Sequence, residues 1–225
     1  MSLKKIGHIV AASALLAGWS SAPQALLIDS FDIEALAAVT GPAPDTDNAF
    51  TNAGMGMIGD RNLFVEKTAG GMGFVNAAVA EVTGGLLGMS NGPETNSIIS
   101  STWNFGATDL TEGGTASGFF LSLPNPIDND LTVAFSINGG PALSRLFPDG
   151  STGDDFFFPF ADFANSGAAA AATEIAVTFS NGVAWDAQID FIETRSDVPV
   201  PAPASLSLLG LALCVLGWMR RKPVV

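Results

Sequence analysis

Short apolar runs of period two, separated by glycine, proline, asparagine and aspartate, constrain the fold of this chain most strongly. The clearest run, Leu131–Ile137, places leucine, valine, phenylalanine and isoleucine at every second position, and Ile175–Phe179 repeats the pattern. Successive side chains of a β-strand point to opposite faces, so each run predicts a strand with one face in a core and the other in water. The chain is therefore expected to fold mainly as β-structure.

Ten segments have strand character and together predict an all-β, antiparallel β-sandwich of the jelly-roll type. They are 26–31, 62–66, 73–82, 97–105, 117–123, 131–138, 142–147, 155–160, 174–180 and 184–194. The dipeptide Asn181-Gly182 lies between the last two, and this pair of turn residues predicts a hairpin that joins them. Segment 35–60, rich in alanine, glycine, proline and aspartate, is expected to be a long irregular connection.

The N-terminus has the pattern of a targeting segment. Lys4 and Lys5 precede the apolar run Ile9–Trp19 and then small residues up to Ala25. This is the order of a secretory signal peptide with a helical apolar region, and cleavage is expected after Ala25. An ordinary amphipathic helix is the alternative. The predicted organisation is a signal peptide over 1–25, an exported domain over 26–198 and a tail over 199–225.

The tail contains an apolar run between a proline-rich segment and a basic end. Leu206–Met219 holds fourteen residues without a charge, and Arg220, Arg221 and Lys222 follow. At about 1.5 Å per residue the run spans roughly 21 Å. That length is short of a bilayer core. A thin transmembrane helix is feasible if Ala204 and Ser205 are included and the basic side chains extend to the cytoplasmic surface. The tail is either a temporary sorting address or a permanent single-pass anchor.

The same tail resembles a known sorting signal. The segment Val200–Ala212, which includes Pro201, Ala202, Pro203 and Ala204, followed by Arg220 and Arg221, is similar to the PEP-CTERM signal of Gram-negative bacteria. One departure is Ala202, where that family most often has glutamate. The resemblance implies recognition by a membrane-embedded exosortase, removal of the tail, and delivery to the cell surface or an exopolysaccharide matrix. The expected partners are the secretion machinery, the exosortase and, before processing, the inner membrane.

Composition excludes many activities for the domain between the two ends. Residues 26–198 contain 22 acidic and 4 basic side chains, a net charge of −18, so nucleic acid is not expected as a partner. The domain has no histidine, cysteine or tyrosine, because His8 and Cys214 lie in the terminal segments. Serine–histidine and cysteine–histidine catalysis and histidine zinc sites are therefore excluded. Glycoside hydrolysis by two carboxyl groups remains open, as does a serine–lysine arrangement, which would have to use Lys67 as the one lysine of the domain.

Three segments of the domain resemble another family. The motifs Leu27–Asp32, Asp60–Val65 and Trp185–Ile192 are similar to exported jelly-roll domains of the galactose-binding-like type. The resemblance implies that the first and last strands are adjacent, and many members of that family bind sugars. A sandwich fold alone does not fix an activity.

Two groups of carboxylates are candidate ligands for a structural calcium ion, which prefers hard oxygen ligands. One is the glycine-containing loop 149–155, and the other would form if the first and last strands pair. The candidate ligands are Asp149, Asp154 and Asp155 in the loop, and Asp29, Asp32, Asp186 and Asp190 in the second group. The alternatives are a solvated acidic turn for the loop and carboxylates that repel one another for the second group.

Aromatic side chains provide candidates for stacking on sugar rings. Trp103 is the single candidate put forward, with Trp185 and Phe156–Phe158 as further contributors. The alternative is burial, because aromatic residues at alternating strand positions usually belong to the core, although three consecutive phenylalanines must place at least one outside it. The functional hypothesis is a non-enzymatic structural or adhesive protein of the cell surface or extracellular matrix. The alternatives are a carbohydrate-binding module for matrix polysaccharide and a carboxylate-based glycoside hydrolase.

Overall fold

A computed structural model describes residues 25–197, which form one compact unit. The predicted signal peptide, the PEP-CTERM-like tail and its predicted transmembrane helix lie outside these described residues. Within residues 25–197, no helix is long and apolar enough to cross a membrane. The regular structure of this part of the chain consists of β-strands and short 3₁₀ turns.

Within residues 25–197, fourteen strands form three antiparallel sheets. In chain order they are β1 Leu26–Asp29, β2 Ala35–Val39, β3 Asp45–Thr51, β4 Asp60–Ala69, β5 Ala78–Thr83, β6 Leu86–Asn91, β7 Asn96–Thr108, β8 Gly118–Leu123, β9 Leu131–Ile137, β10 Leu143–Phe147, β11 Gly153–Pro159, β12 Ala172–Ser180, β13 Asp186–Ile189 and β14 Ile192–Arg195. The six-stranded sheet has the order β10-β9-β12-β7-β4-β3. The terminal sheet is β1-β14-β8-β11, and the groove sheet is β13-β6-β5-β2.

The inward faces of all three sheets share one apolar core, so the described chain is an antiparallel β-sandwich, as predicted. Phe119 of the terminal sheet stacks on Phe135 of the six-stranded sheet, with ring centroids 4.9 Å apart. The two smaller sheets meet at β8, where Ser122 accepts a hydrogen bond from the Asp190 N–H and donates its own N–H to the Phe191 carbonyl, both at 3.2 Å. The adjacency of the first and last strands is confirmed, because β1 pairs antiparallel with β14.

Each of the ten predicted segments overlaps a strand, but three strands had not been predicted. Segment 35–60 contains β2 and β3, and the prediction of an irregular connection there is wrong. The strand β3 is a polar edge strand exposed over most of its length, and three of the five residues of β2 are alanines, so neither shows strong alternation. The strand β6 was missed as well, and the predicted strand 184–194 is in fact β13 followed by β14.

The predicted hairpin at Asn181-Gly182 is also wrong. The strand β12 pairs with β7 and β9 in the six-stranded sheet, whereas β13 pairs with β6 in the groove sheet. Neither turn residue has the positive φ that a two-residue type I′ hairpin requires; Ala184 has it instead, at 58°. The connection therefore crosses between the two layers and buries Trp185 on the way.

Candidate functional site

The outward face of the groove sheet carries a cavity of about 450 Å³. Its floor is formed by alternate residues of β5, β6 and β13, and its rim by the loop between β8 and β9. The lining residues are Val79, Glu81, Thr83, Gly88, Met89, Ser90, Asn125, Pro126, Asp186, Ala187 and Gln188. Of the lining residues on β5, β6 and β13, all but Met89 and Ala187 face away from the core, because they alternate along the strands with buried residues. The buried residues of the inward series are Ala80, Val82, Leu87, Met89 and Ala187.

Strand register places the polar side chains of the groove in two rows. Gly88 lies between Glu81 of β5 and Gln188 of β13. A Cβ atom at Gly88 would meet no heavy atom closer than the Glu81 carbonyl oxygen at 3.8 Å, so the centre of the floor is bare backbone with room above it. The Asn125 amide donates a hydrogen bond to the Gln188 side-chain oxygen and builds one wall of the groove.

The second row aligns a hydroxyl with a carboxylate. Ser90 of β6 lies between Val79 of β5 and Asp186 of β13. The Asp186 carboxylate accepts a hydrogen bond from the Asn91 N–H at 3.2 Å, which orients it along the edge of the floor. The groove thus offers carboxylate, amide and hydroxyl groups, the donors and acceptors that recognise the hydroxyl groups of a ligand.

The four basic side chains of the domain do not line the groove, and each has an interaction partner outside it. Arg61 pairs with Asp29, Arg145 lies 3.8 Å from Asp162, and Arg195 lies 3.4 Å from Glu193. Lys67 is fully buried against backbone carbonyl oxygens. Because Glu81 and Asp186 line the groove without a basic neighbour among its lining residues, the local potential disfavours anionic ligands.

Trp103 belongs to the core, so its prediction as a sugar-stacking residue is wrong. The indole is fully buried, and its Nε1 donates a hydrogen bond to Asp29 at 2.8 Å. Trp103 continues the inward series of β7 that includes Ile99 and Ser101, whereas a stacking platform needs the outward series. Trp185 is fully buried as well.

The three consecutive phenylalanines divide between core and surface, as expected from strand alternation. Phe158 is buried in the core, and its neighbours Phe156 and Phe157 are half-buried. Their rings pack on other aromatic side chains of the protein, with Phe157 stacked 4.6 Å from Phe120 and Phe156 edge-on 4.8 Å from Phe147. These rings therefore stabilise the terminal sheet and do not line the groove.

The predicted second calcium group is not assembled. Asp29 lies on β1 in a buried ion pair with Arg61, whereas Asp186 lies on β13 in the groove sheet. Asp32 is exposed and accepts a hydrogen bond from the Ser30 hydroxyl at 2.7 Å. In the described part of the chain, no three acidic, histidine or cysteine residues are grouped so that they could hold a metal ion.

The loop 149–155 uses its carboxylates for local hydrogen bonds. Asp149 accepts from the Asn129 N–H at 3.3 Å, and Asp154 accepts from the Ser122 hydroxyl at 2.8 Å. The side chain of Asp155 lies outside the described residues, and Asp190 contributes its backbone to the junction of the two smaller sheets. Calcium binding stays a prediction.

The Glu193 carboxyl, which lies in the terminal sheet, has a raised pKa. Burial raises the pKa of the Glu193 carboxyl, the positive charge of Arg195 lowers it, and the nearby Glu112 carboxylate raises it. Glu112 itself accepts hydrogen bonds from the Leu26 N–H at 3.0 Å and the Thr194 hydroxyl at 2.9 Å. Glu112 therefore joins its own connection to the paired strands β1 and β14, which is a structural role.

Comparison with known proteins gives only distant likenesses. No protein-family model matches the chain, and no curated protein matches it. Among solved structures, a family 11 carbohydrate-binding module from Clostridium thermocellum, in complex with a β-1,3-1,4-mixed-linked tetrasaccharide, has a TM-score of 0.39 and 13% identity, covering 80% of this chain and 100% of that one. A second structure of a family 11 module, from the cellulosomal cellulase Lic26A-Cel5E of the same organism, has a TM-score of 0.38 and 10% identity, with coverages of 80% and 99%.

A catalytic protein is also among the similar structures. An exo-β-1,3-galactanase from Phanerochaete chrysosporium has a TM-score of 0.23 and 10% identity, covering 76% of this chain and 56% of that one. Scores at this level do not establish a shared fold. The architecture of the present domain therefore stands on its own strand pairing and core.

Proposed function

We propose that this chain is an exported, non-enzymatic β-sandwich that binds polysaccharide in the groove of β5, β6 and β13. The observation that supports the proposal is the groove itself, which combines a bare floor at Gly88 with hydroxyl, amide and carboxylate groups on either side. An open groove with such groups suits an extended polymer rich in hydroxyl groups. Polysaccharides without negative charge fit best, because Glu81 and Asp186 would repel an anionic chain.

A side chain placed at Gly88 is expected to abolish binding. Gly88→Leu fills the centre of the floor, and its backbone φ is one that any residue adopts, so the strand should keep its structure. We expect retention on the preferred polysaccharide to fall at least about tenfold, since the polymer loses its contact with the sheet. Affinity electrophoresis against mixed-linked β-glucan, a polymer with free amino groups and an anionic uronate polymer measures the effect.

Gly106→Leu is the matched control for this substitution. Gly106 lies exposed on β7 of the six-stranded sheet, with open space where its side chain would project and no positive φ. Equal losses in the two variants, or retention on no polysaccharide by the unaltered protein, would refute the groove as a polysaccharide site. Release of reducing ends during the same assay would instead support the hydrolase alternative.

We also propose that the C-terminal tail is processed as a PEP-CTERM sorting signal. The support is the sequence Pro201-Ala202-Pro203-Ala204, the apolar run behind it and the final basic cluster. We expect the extracellular protein to have lost both its first ~25 residues and the apolar tail, because both are removable address segments. Intact mass spectrometry of membrane and extracellular fractions from the native host tests this. A membrane-bound mass that retains Lys222 would show a permanent anchor instead.

A further inference from the structure

The connection between β4 and β5 exposes an uncharged apolar cluster. Met72, Phe74 and Val75 are 73%, 89% and 74% exposed, and together with the glycines around them they form what we call the apolar tip, residues 70–77. None of these eight residues carries a charge, although the domain is strongly acidic. Large apolar side chains grouped on one exposed segment mark interaction sites more often than they mark packing.

The backbone of the apolar tip is hydrogen-bonded to the side chain of Lys67. The fully buried ammonium group donates hydrogen bonds to the carbonyl oxygens of Gly71 and Asn76 within the tip, and to that of Gly41 at 2.8 Å. The Gly73 N–H adds a hydrogen bond to the Thr40 carbonyl at 2.9 Å. The backbone on both sides of Phe74 is thus held by hydrogen bonds, which reduces the conformational entropy that this segment would lose on binding.

The apolar tip stands at one end of the groove. The Gly92 N–H donates to the Ala77 carbonyl at 2.9 Å, directly beyond the first pair of the β5–β6 ladder, Ala78 with Asn91. A Cβ atom at Gly92 would lie 2.1 Å from the Val75 carbonyl oxygen. Gly92 is the residue that follows β6, so this close approach places the tip at the end of the groove sheet that is nearest Val79 and Ser90.

We propose that Phe74 is a stacking platform for a sugar ring of the polysaccharide that occupies the groove. This inference rests on the proposed function and adds to it the apolar contact that the groove lining lacks, since no aromatic residue is among the groove's lining residues. One face of a pyranose ring presents C–H groups, which pack on an aromatic ring while the hydroxyl groups at its edge bind polar side chains. The ligand class is therefore a polysaccharide without negative charge whose sugar rings expose such a face.

The test compares Phe74→Ala with Phe50→Ala. Phe50 is 61% exposed on the edge strand β3 of the six-stranded sheet, so it is a second largely exposed phenylalanine that lies away from the groove. We expect Phe74→Ala to weaken binding of the preferred polysaccharide about fivefold to tenfold, and Phe50→Ala to leave it unchanged. Phe74→Trp should bind at least as well as the unaltered protein, because a larger ring offers more stacking area.

The outcomes separate this inference from the proposed function. If Gly88→Leu abolishes binding and Phe74→Ala does not change it, polysaccharide binding in the groove is supported and the stacking role of Phe74 is refuted. If the unaltered protein binds no polysaccharide, both the proposed function and the stacking role of Phe74 are refuted. Binding to phosphatidylcholine vesicles that is lost in Phe74→Ala, with polysaccharide binding unchanged, would overturn the inference and assign the apolar tip to membranes.

Discussion

Asp29→Ala is expected to lower the free energy of unfolding by about 3–5 kcal/mol, the usual effect of removing one partner of a buried ion pair. The Asp29 carboxylate lies 2.8 Å from Arg61 Nη1 and accepts the Trp103 indole hydrogen bond, also at 2.8 Å. It accepts the Phe31 N–H at 2.7 Å as well, and Phe31 has a left-handed φ of 54° that this bond supports. Its loss leaves a guanidinium buried without a counter-charge where the two layers meet.

Chemical denaturation of Asp29→Ala, Asp29→Asn and Asp32→Ala measures this effect. Asp32 is exposed three residues away, so its substitution should change stability by no more than about 0.5 kcal/mol. Asp29→Asn keeps an oxygen for Trp103 but removes the charge, and should remain strongly destabilised because the Arg61 charge is still unpaired. Stability of Asp29→Ala within about 1 kcal/mol of the unaltered protein would contradict the role assigned to the ion pair.

Sequence patterns were sufficient to predict the β-sandwich but not to predict which strands belong to which sheet. Alternation identified β9 and β12 because each has a fully apolar inward series, whereas the exposed edge strand β3 has none. The Asn181-Gly182 dipeptide has the composition of a hairpin, yet burial of Trp185 draws the following strand into the groove sheet. Tertiary packing determines the path of the connection between β12 and β13, and local sequence propensity alone does not predict that path.

The groove could not be predicted from the sequence, because its residues come together only through the register of strand pairing. Glu81, Gly88 and Gln188 are far apart in the chain and become one row only through the β5–β6 and β6–β13 pairings. Trp103 was misassigned for a related reason, since alternation gives two faces without saying which one is buried. The complete burial of the ion pair between Arg61 and Asp29 was likewise not evident from the sequence pattern.

Lys67 occupies a position that a neutral side chain cannot fill. Its ammonium group is fully buried and donates to the carbonyl oxygens of Gly41, Gly71 and Asn76. Lys67→Met keeps a long unbranched side chain but removes the donor of the Gly41 and Gly71 carbonyls. The Asn76 carbonyl keeps only the hydrogen bond from the Thr95 hydroxyl at 2.9 Å. A buried polar group without a partner costs about 1–3 kcal/mol. We expect the free energy of unfolding to fall by about 3–5 kcal/mol, measured by chemical denaturation.

The same substitution should also release the apolar tip, because two of the three carbonyls belong to it. Lys67→Met is therefore expected to weaken polysaccharide binding as much as Phe74→Ala does, and to make residues 70–77 susceptible to limited proteolysis below the unfolding transition. Arg145→Met removes an exposed cation and is the matched control, with stability within about 0.5 kcal/mol of the unaltered protein. If Lys67→Met lowers stability yet leaves both binding and proteolysis unchanged, Lys67 stabilises the fold without positioning Phe74.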